Sequence, residues 1–345
     1  MQTEILTPND NFDLLDKAAE IIKNGGLVVF PTETVYGLGA DATNPIAAKK
    51  IYDAKGRPSD NPLIIHIHTP EDAEKYAFTT PLYYLLAQRF MPGPLTVVLQ
   101  AKDTVPTQTR AGLPTVAVRC PINKIARELI KRAEVPIAAP SANLSGSPSA
   151  TTYQHVLDDM YGRVDMIING NDSDIGVEST IVKIDSDNSL TLLRPGKITY
   201  EELLEVCDNI TVSSAVVAKL KENEVAISPG MKYRHYAPKT PLLLIDAKPL
   251  ETAEYIKSEN ITNIGIIAYE EDVSLFERLL PYAKVFSFGK KDDQLSHARL
   301  LFSLLRDSDK YNFSKIYAPL PNKSGVGLAI YNRLIRAAAH EIVKL

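Results

Sequence analysis

The sequence predicts an α/β protein with two sheets. A twisted mixed sheet with helices forms a larger first domain, and a smaller, Rossmann-like parallel α/β domain follows. Three observations point there. Short apolar runs such as Leu27-Val28-Val29-Phe30 and Thr115-Val116-Ala117-Val118 read as strands and alternate with segments of helical period. Several early strands arrive through proline, as at Pro94 and Pro136, which favours an irregular twisted sheet over regular βαβ repeats. After residue 240 strand and helix alternate simply, the pattern of a small parallel sheet. A length of 345 residues suits two domains, and 45% apolar residues give each a core. The expected boundaries are 1–208 for the first domain, 209–240 for a connector and 241–345 for the second domain.

The helical period from Asp13 to Lys23 stops at Asn24-Gly25-Gly26, a C-terminal signal. Leu27 to Phe30 is a buried strand that ends at Pro31, which cannot continue a ladder. Pro45 to Ala54 is a short helix that delivers Lys55 and Arg57 at its end. Leu63 to Ile67, Pro94 to Leu99 and Thr115 to Arg119 are strands. Asn123 caps a helix to Ala133. Strands from Val164 to Ile168, Thr180 to Ile184 and Leu190 to Leu193 complete the first sheet. In the second domain the strands run from Leu242 to Ile245, Asn263 to Ala268, Lys284 to Ser287 and Lys315 to Ala318. A last helix runs from Leu328 to Ala339. Ser324-Gly325-Val326-Gly327 before it is a weak phosphate signature, and a tight loop into the helix is the better reading.

Composition narrows the function. A net charge of −4 gives no global pull toward nucleic acid, so weak RNA binding would be confined to a local patch. Cys120 and Cys207 are far apart and make no metal spacing; they read as reduced thiols of a cytoplasmic protein. Met1-Gln2-Thr3-Glu4 lacks the basic and apolar regions of a signal peptide. No apolar run approaches the ~20 residues of a membrane helix, so no membrane partner is expected.

Four strand exits carry the chemistry. They are Phe30-Pro31-Thr32-Glu33-Thr34-Val35-Tyr36-Gly37-Leu38, Lys55-Gly56-Arg57-Pro58-Ser59-Asp60-Asn61-Pro62-Leu63, Pro136-Ile137-Ala138-Ala139-Pro140-Ser141-Ala142-Asn143-Leu144-Ser145-Gly146 and Gly176-Val177-Glu178-Ser179-Thr180-Ile181-Val182, with Arg194-Pro195-Gly196 beyond. Each sets cations or small polar groups beside Gly or Pro at the end of an apolar run, where open α/β sheets place ligands. Each also has a plainer reading. Thr32, Ser141 and Asn143 suit turns with local hydrogen bonds. Lys55 and Arg57 suit solvated cations at a helix end, Arg119 and Arg194 suit ion pairs, and His66 suits a strand face. Taken together, Lys55, Arg57 and Arg194 with Ser, Thr and Asn donors suit a polyanion such as a nucleotide triphosphate. No P-loop, His-x-x-Glu-His-type pair or nucleophile elbow is present.

In this order, these segments resemble the YrdC-like family, and Ser228-Pro229-Gly230-Met231-Lys232-Tyr233-Arg234-His235-Tyr236-Ala237-Pro238 resembles the linker of its long two-domain members, the threonylcarbamoyl-AMP synthases. The resemblance spans residues 27 to 238 and implies a YrdC-like fold for the first domain. The implied reaction makes threonylcarbamoyl-AMP and pyrophosphate from L-threonine, bicarbonate or CO2, and ATP. Downstream machinery then transfers the group to the adenosine beside the tRNA anticodon. It also implies that Lys55 and Arg57 are catalytic and that Lys55, Arg57, Ser59, Ser141, Asn143, Arg194, Ser228 and Tyr236 hold ATP. Thr32, His66, Thr115, Arg119, Ala139 and Ser179 hold threonine. Mg2+ arrives with ATP and no protein metal site is expected. The segment from 228 to 238, with His235 and Tyr236, closes as a lid over the nucleotide. Lys55 and Arg57 sit in a Gly/Pro segment where little core packing is expected. Two alternatives stand beside this reading. One is a carbamoyl-adenylate-forming carbamoyltransferase, disfavoured by two scattered cysteines; the other is an RNA-binding module, disfavoured by the acidic balance.

Overall fold

The computed structural model describes residues 2–8, 11–218 and 236–345. They fall into two compact units: residues up to 145 with 149–218, and residues 146–148 with 236–345.

The strands of the first unit are β1 (Glu4–Leu6), β2 (Val28–Phe30), β3 (Gly37–Asp41), β4 (Ile64–His66), β5 (Ala77–Phe78), β6 (Leu95–Ala101), β7 (Thr115–Arg119), β8 (Ile137–Ala138), β9 (Met166–Ile168), β10 (Thr180–Ser186), β11 (Ser189–Arg194) and β12 (Ile210–Val212). Its helices are α1 (Leu15–Lys23), α2 (Pro45–Lys55), α3 (Pro81–Phe90), α4 (Thr107–Arg110), α5 (Lys124–Ala133), α6 (Tyr153–Met160) and α7 (Tyr200–Leu204). The strands form one mixed sheet ordered β1-β9-β2-β3-β8-β4-β7-β6-β10-β11-β12, with β5 on β6. The cap at Asn123 is where the sequence predicts it, and α2 runs one residue past the expected Ala54. Asn123 accepts the amides of Ile125 and Ala126 at the start of α5. Gly56 ends α2 in the left-handed region, at φ 61°. The apolar faces of α1 and α5 pack on β2 and β9 through Leu15, Ile22, Leu129, Ile130, Phe30 and Met166.

The second unit holds β13 (Leu242–Asp246), α8 (Pro249–Ser258), β14 (Ile264–Ala268), α9 (Glu270–Leu279), β15 (Lys284–Ser287), α10 (Gln294–Asp309), β16 (Lys315–Pro319), α11 (Gly327–Ala337) and β17 (Ile342–Lys344). Every pairing is parallel, in the order β15-β14-β16-β13-β17. The glycine loop before α11 turns inward. The Gly327 amide donates to Gln294 Oε1, and a Cβ at Gly327 would sit 2.1 Å from Asn322 Oδ1. Close packing therefore explains this glycine.

The connector is shorter than the expected 209–240. Residues 210–212 form a parallel strand on β11, pairing Leu190 with Ile210 and Leu192 with Val212. Ala215 and Val216, just beyond, are 1% exposed. At the other end, Lys239 and Thr240 donate their amides to Asp309 of α10, so the second unit has begun by residue 239. The sequence reading missed β12 because Ile210-Thr211-Val212 is a three-residue run, half-buried only at Ile210 and too short to show a period. Val216→Ala tests the correction. A buried residue of the sheet domain loses about 2 kcal/mol in urea unfolding, whereas a connector residue loses almost nothing.

Candidate active site

The turn at residues 31–36 is the hub on which the other motifs converge. It follows β2 and returns into β3. Thr32 Oγ1 donates to the Val35 carbonyl and accepts the amides of Thr34 and Val35, so its hydroxyl is engaged by its own turn. Three backbone stitches fix neighbouring segments to this turn. Ile175 and Gly176 donate to the carbonyls of Glu33 and Thr34, and Ala142 donates to Tyr36. Gly37 then bridges to Ser141. A Cβ at Gly37 would lie 3.3 Å from that of Ala139, a 4% exposed residue whose amide donates to Ile64.

Strand register sets a polar row across the sheet. His66 of β4 pairs with Arg119 of β7, and Arg119 pairs with Thr96 of β6. Paired residues project on one face. Thr96 Oγ1 meets Ser179 Oγ at 2.8 Å, and Arg194 closes the row by donating to the Ser179 carbonyl and hydroxyl at 3.1 and 3.2 Å. A Cβ at Gly196 would approach the Thr180 amide nitrogen to 2.4 Å, so the Arg194-Pro195-Gly196 loop closes on this segment only with glycine there.

Arg119 is the centre of the row. Its Nη2 donates to Glu33 Oε1 at 2.6 Å, and both side chains are 5% exposed. Glu33 Oε2, Arg119 Nε and His66 Nδ1 are all buried with no hydrogen-bond partner among the described residues. Such atoms are rare in folded proteins and each is costly, by about 1–3 kcal/mol, unless a ligand or water meets it. Burial, helped by the Arg119 charge, lowers the His66 pKa to about 3. The imidazole is therefore neutral at physiological pH.

The cations lie elsewhere on the rim. Lys55 is not a loop cation as expected: it is the last residue of α2, is 3% exposed, and donates its Nζ to the carbonyls of Ser141 and Asn143. It ties the second motif to the third, and core packing is at stake there after all. Arg57 is half-buried and donates to the carbonyls of Asn61 and Pro62. Ser141 Oγ bonds Asn143 Oδ1, the local turn geometry foreseen as their plainer reading.

The structure therefore gathers Thr32, His66, Arg119, Ala139, Ser141, Asn143, Ser179, Arg194 and Lys55 around one turn and one sheet row. Ser59 is exposed in the turn after Arg57. Thr115 does not join them. It opens β7, four residues before Arg119, about 13 Å away along the strand, which exceeds the length of a threonine molecule. Tyr236 packs in the second unit, stacked on Phe302 at 5.3 Å and beneath Arg333. Ser228 and His235, and with them most of the expected lid, lie outside the described residues. Two residues inside the recognised motifs were missed as site residues. One is Glu33; the other is Asn61, whose side-chain amide is buried without a partner. The available signal was a carboxylate and an amide flanked by proline-bounded strand exits, which sequence alone cannot separate from surface polar residues. Cys120 and Cys207 are free and buried, and burial pushes the Cys120 thiol up to about 12, which keeps it protonated.

A family model described as telomere recombination, of the Sua5/YciO/YrdC type, matches residues 20–196. A second, described as threonylcarbamoyl-AMP synthase, C-terminal domain, matches residues 198–339. The chain belongs to the threonylcarbamoyl-AMP synthase family. It is 42% identical over 338 residues to the threonylcarbamoyl-AMP synthase of Pyrococcus abyssi, covering 95% of both chains. To that of Bacillus subtilis it is 41% identical over 346 residues, covering 99% of this chain and 97% of the relative. The crystal structure of P. abyssi Sua5 complexed with L-threonine superposes with a TM-score of 0.89 at 40% identity, over 100% of both chains.

His66 gives the site a pH signature. An unfolded chain protonates this histidine near 6.5, the folded one only near 3. Between those values the unfolded state binds the extra proton, so His66 lowers stability as pH falls; above 6.5 it contributes no slope. The loss of unfolding free energy between about pH 7 and pH 5 should be smaller in His66→Gln by roughly 2 kcal/mol, read from urea titrations at the two pH values. Equal losses in both proteins would place a solvated, ordinary histidine there.

Proposed function

We propose that this chain makes threonylcarbamoyl-AMP from L-threonine, bicarbonate or CO2, and ATP, releasing pyrophosphate. The observation that carries the reading is the Glu33–Arg119 pair, with one acceptor and one donor atom left over. The pair has no net charge but a strong local dipole. That suits a zwitterion: Arg119 Nε donates to the threonine carboxylate and Glu33 Oε2 accepts from its amine. A neutral His66 adds no cation to repel the ammonium. Ser179 and Thr96 hydroxyls supply partners for the threonine hydroxyl.

The remaining chemistry is positioning and charge. The amine, once its ammonium proton has gone to solvent, attacks the carbon of CO2, and loss of a second N–H proton to solvent leaves a carbamate. A carbamate oxygen then attacks the α-phosphorus, the bond to the bridging oxygen breaks, and pyrophosphate leaves. Arg194 touches Ser179 and so faces the amino-acid half, while Arg57 and Lys55 hold the motifs that flank it. Arg57, the least buried of the three, neutralises charge on the leaving pyrophosphate. Mg2+ enters as the counter-ion of the ATP phosphates. The carbamate is unstable in water, so the site must be closed during turnover. The product feeds transfer of the threonylcarbamoyl group to tRNA, in the cytoplasm, where buried thiols such as Cys120 and Cys207 stay reduced.

The test is pyrophosphate release by purified protein. Release should require threonine and bicarbonate together. Valine, which lacks the hydroxyl and forgoes the hydrogen bond to the Ser179–Thr96 pair, should turn over at least about 10-fold more slowly than threonine, and serine should lose roughly 1 kcal/mol. Equal turnover of valine and threonine would remove the basis of the amino-acid pocket.

A further inference from the structure

The second unit contains a cavity of about 300 Å3 that the reaction does not use. It lies outside the carboxyl ends of the parallel strands. Ile245 of β13, Ile266 of β14 and Tyr317 of β16 form its apolar floor, together with Phe276 of α9. The position follows from topology. In the order β15-β14-β16-β13-β17, the chain leaves β14 toward β15 and leaves β16 in the opposite direction, toward β17. The loops diverge between β14 and β16, and open α/β sheets bind ligands at such a switch point.

The rim decides the chemistry. Three carboxylates, Asp246, Asp272 and Asp292, line the opening against a single cation, Lys291. Asp246 has one long contact, 4.0 Å to Lys344. The carboxylates of Asp272 and Asp292 have no hydrogen bond or ion pair among the described residues. The usual occupant of this position, a nucleotide phosphate, is excluded. The first strand–helix loop, Asp246-Ala247-Lys248-Pro249, has no glycine, and its helix opens on a proline without an N–H. The first turn of α9 carries Glu270, Glu271 and Asp272, which cancel the positive helix end. An apolar floor under a net negative rim selects the opposite kind of molecule.

We propose that this crevice binds a small amphipathic cation, a molecule bearing a primary amine on an aromatic or branched apolar body. The body covers Ile245, Ile266 and Phe276, and the ammonium meets Asp272 with Asp246 or Asp292. The site stands independently of the adenylate chemistry, since every lining residue belongs to the second unit.

Saturation-transfer NMR on the full chain tests this with a shape-matched pair of probes of opposite charge, phenethylamine and phenylacetate, at about 1 mM, the range of fragment affinities. Phenethylamine should show transfer and phenylacetate none. Asp272→Asn should weaken phenethylamine roughly tenfold through loss of one charge-assisted contact. Thr252→Phe, which fills the cavity from α8, should abolish binding. Both variants should keep wild-type urea unfolding and wild-type pyrophosphate release. No transfer from phenethylamine, equal transfer from phenylacetate, or a phenethylamine signal that survives both variants would overturn the proposal.

Discussion

The buried pair between Glu33 and Arg119 is the interaction on which the site depends. It joins a turn to the middle of the sheet. The turn carries the first motif; Arg119 sits in the register row with His66 and Thr96. Two charges at 5% exposure have surrendered most of their hydration, and removing either one leaves the other buried alone, at about 3–5 kcal/mol. A well-packed apolar pair would hold the fold as well or better. The unpartnered oxygen and nitrogen on this pair fit recognition, because they present opposite charges at fixed positions to a small dipolar molecule.

The rest of the site hangs from that turn through backbone bonds. Residues 175 and 176 donate to its carbonyls, and residues 140–142 are stitched to Tyr36 and Leu38. Lys55 then anchors the same 141–143 loop from α2. Motifs far apart in the chain become one constellation without a long ordered loop between them. Lys55 and Arg57 brace the 141–143 and 61–62 segments, while Arg194 closes the row of His66, Arg119, Thr96 and Ser179.

Much of this was legible in the sequence, for identifiable reasons. Strands such as Thr115–Arg119 and Lys284–Ser287 appear at their expected positions because proline or glycine flanks a dense β-branched or aromatic run. Helix ends at Asn24, Gly56 and Asn123 follow cap chemistry. The three-residue strands β1, β12 and β17 were not legible, since pairing with a distant neighbour, not local pattern, makes them strands. Within the site, residue identity revealed which groups carry charge but not their state of burial. Lys55 and Arg57 share one short segment, yet only Lys55 is sunk against carbonyls. Thr115 and Arg119 share one strand, and only strand rise shows that they lie too far apart to share a small ligand. Glu33 is one carboxylate among anion-binding candidates in the sequence, and only the structure shows the guanidinium that pairs with it.

The most direct measurement is calorimetric titration of threonine into wild-type protein, Glu33→Gln, Arg119→Gln and the double variant, with urea unfolding to confirm that each remains folded. If the pair is one dipolar receptor, each single change weakens threonine by roughly tenfold or more, and the double variant loses less than the sum of the two by at least about 1 kcal/mol. Threonine affinity unchanged in folded Glu33→Gln, or strictly additive losses, would contradict the account and return the pair to a purely structural role.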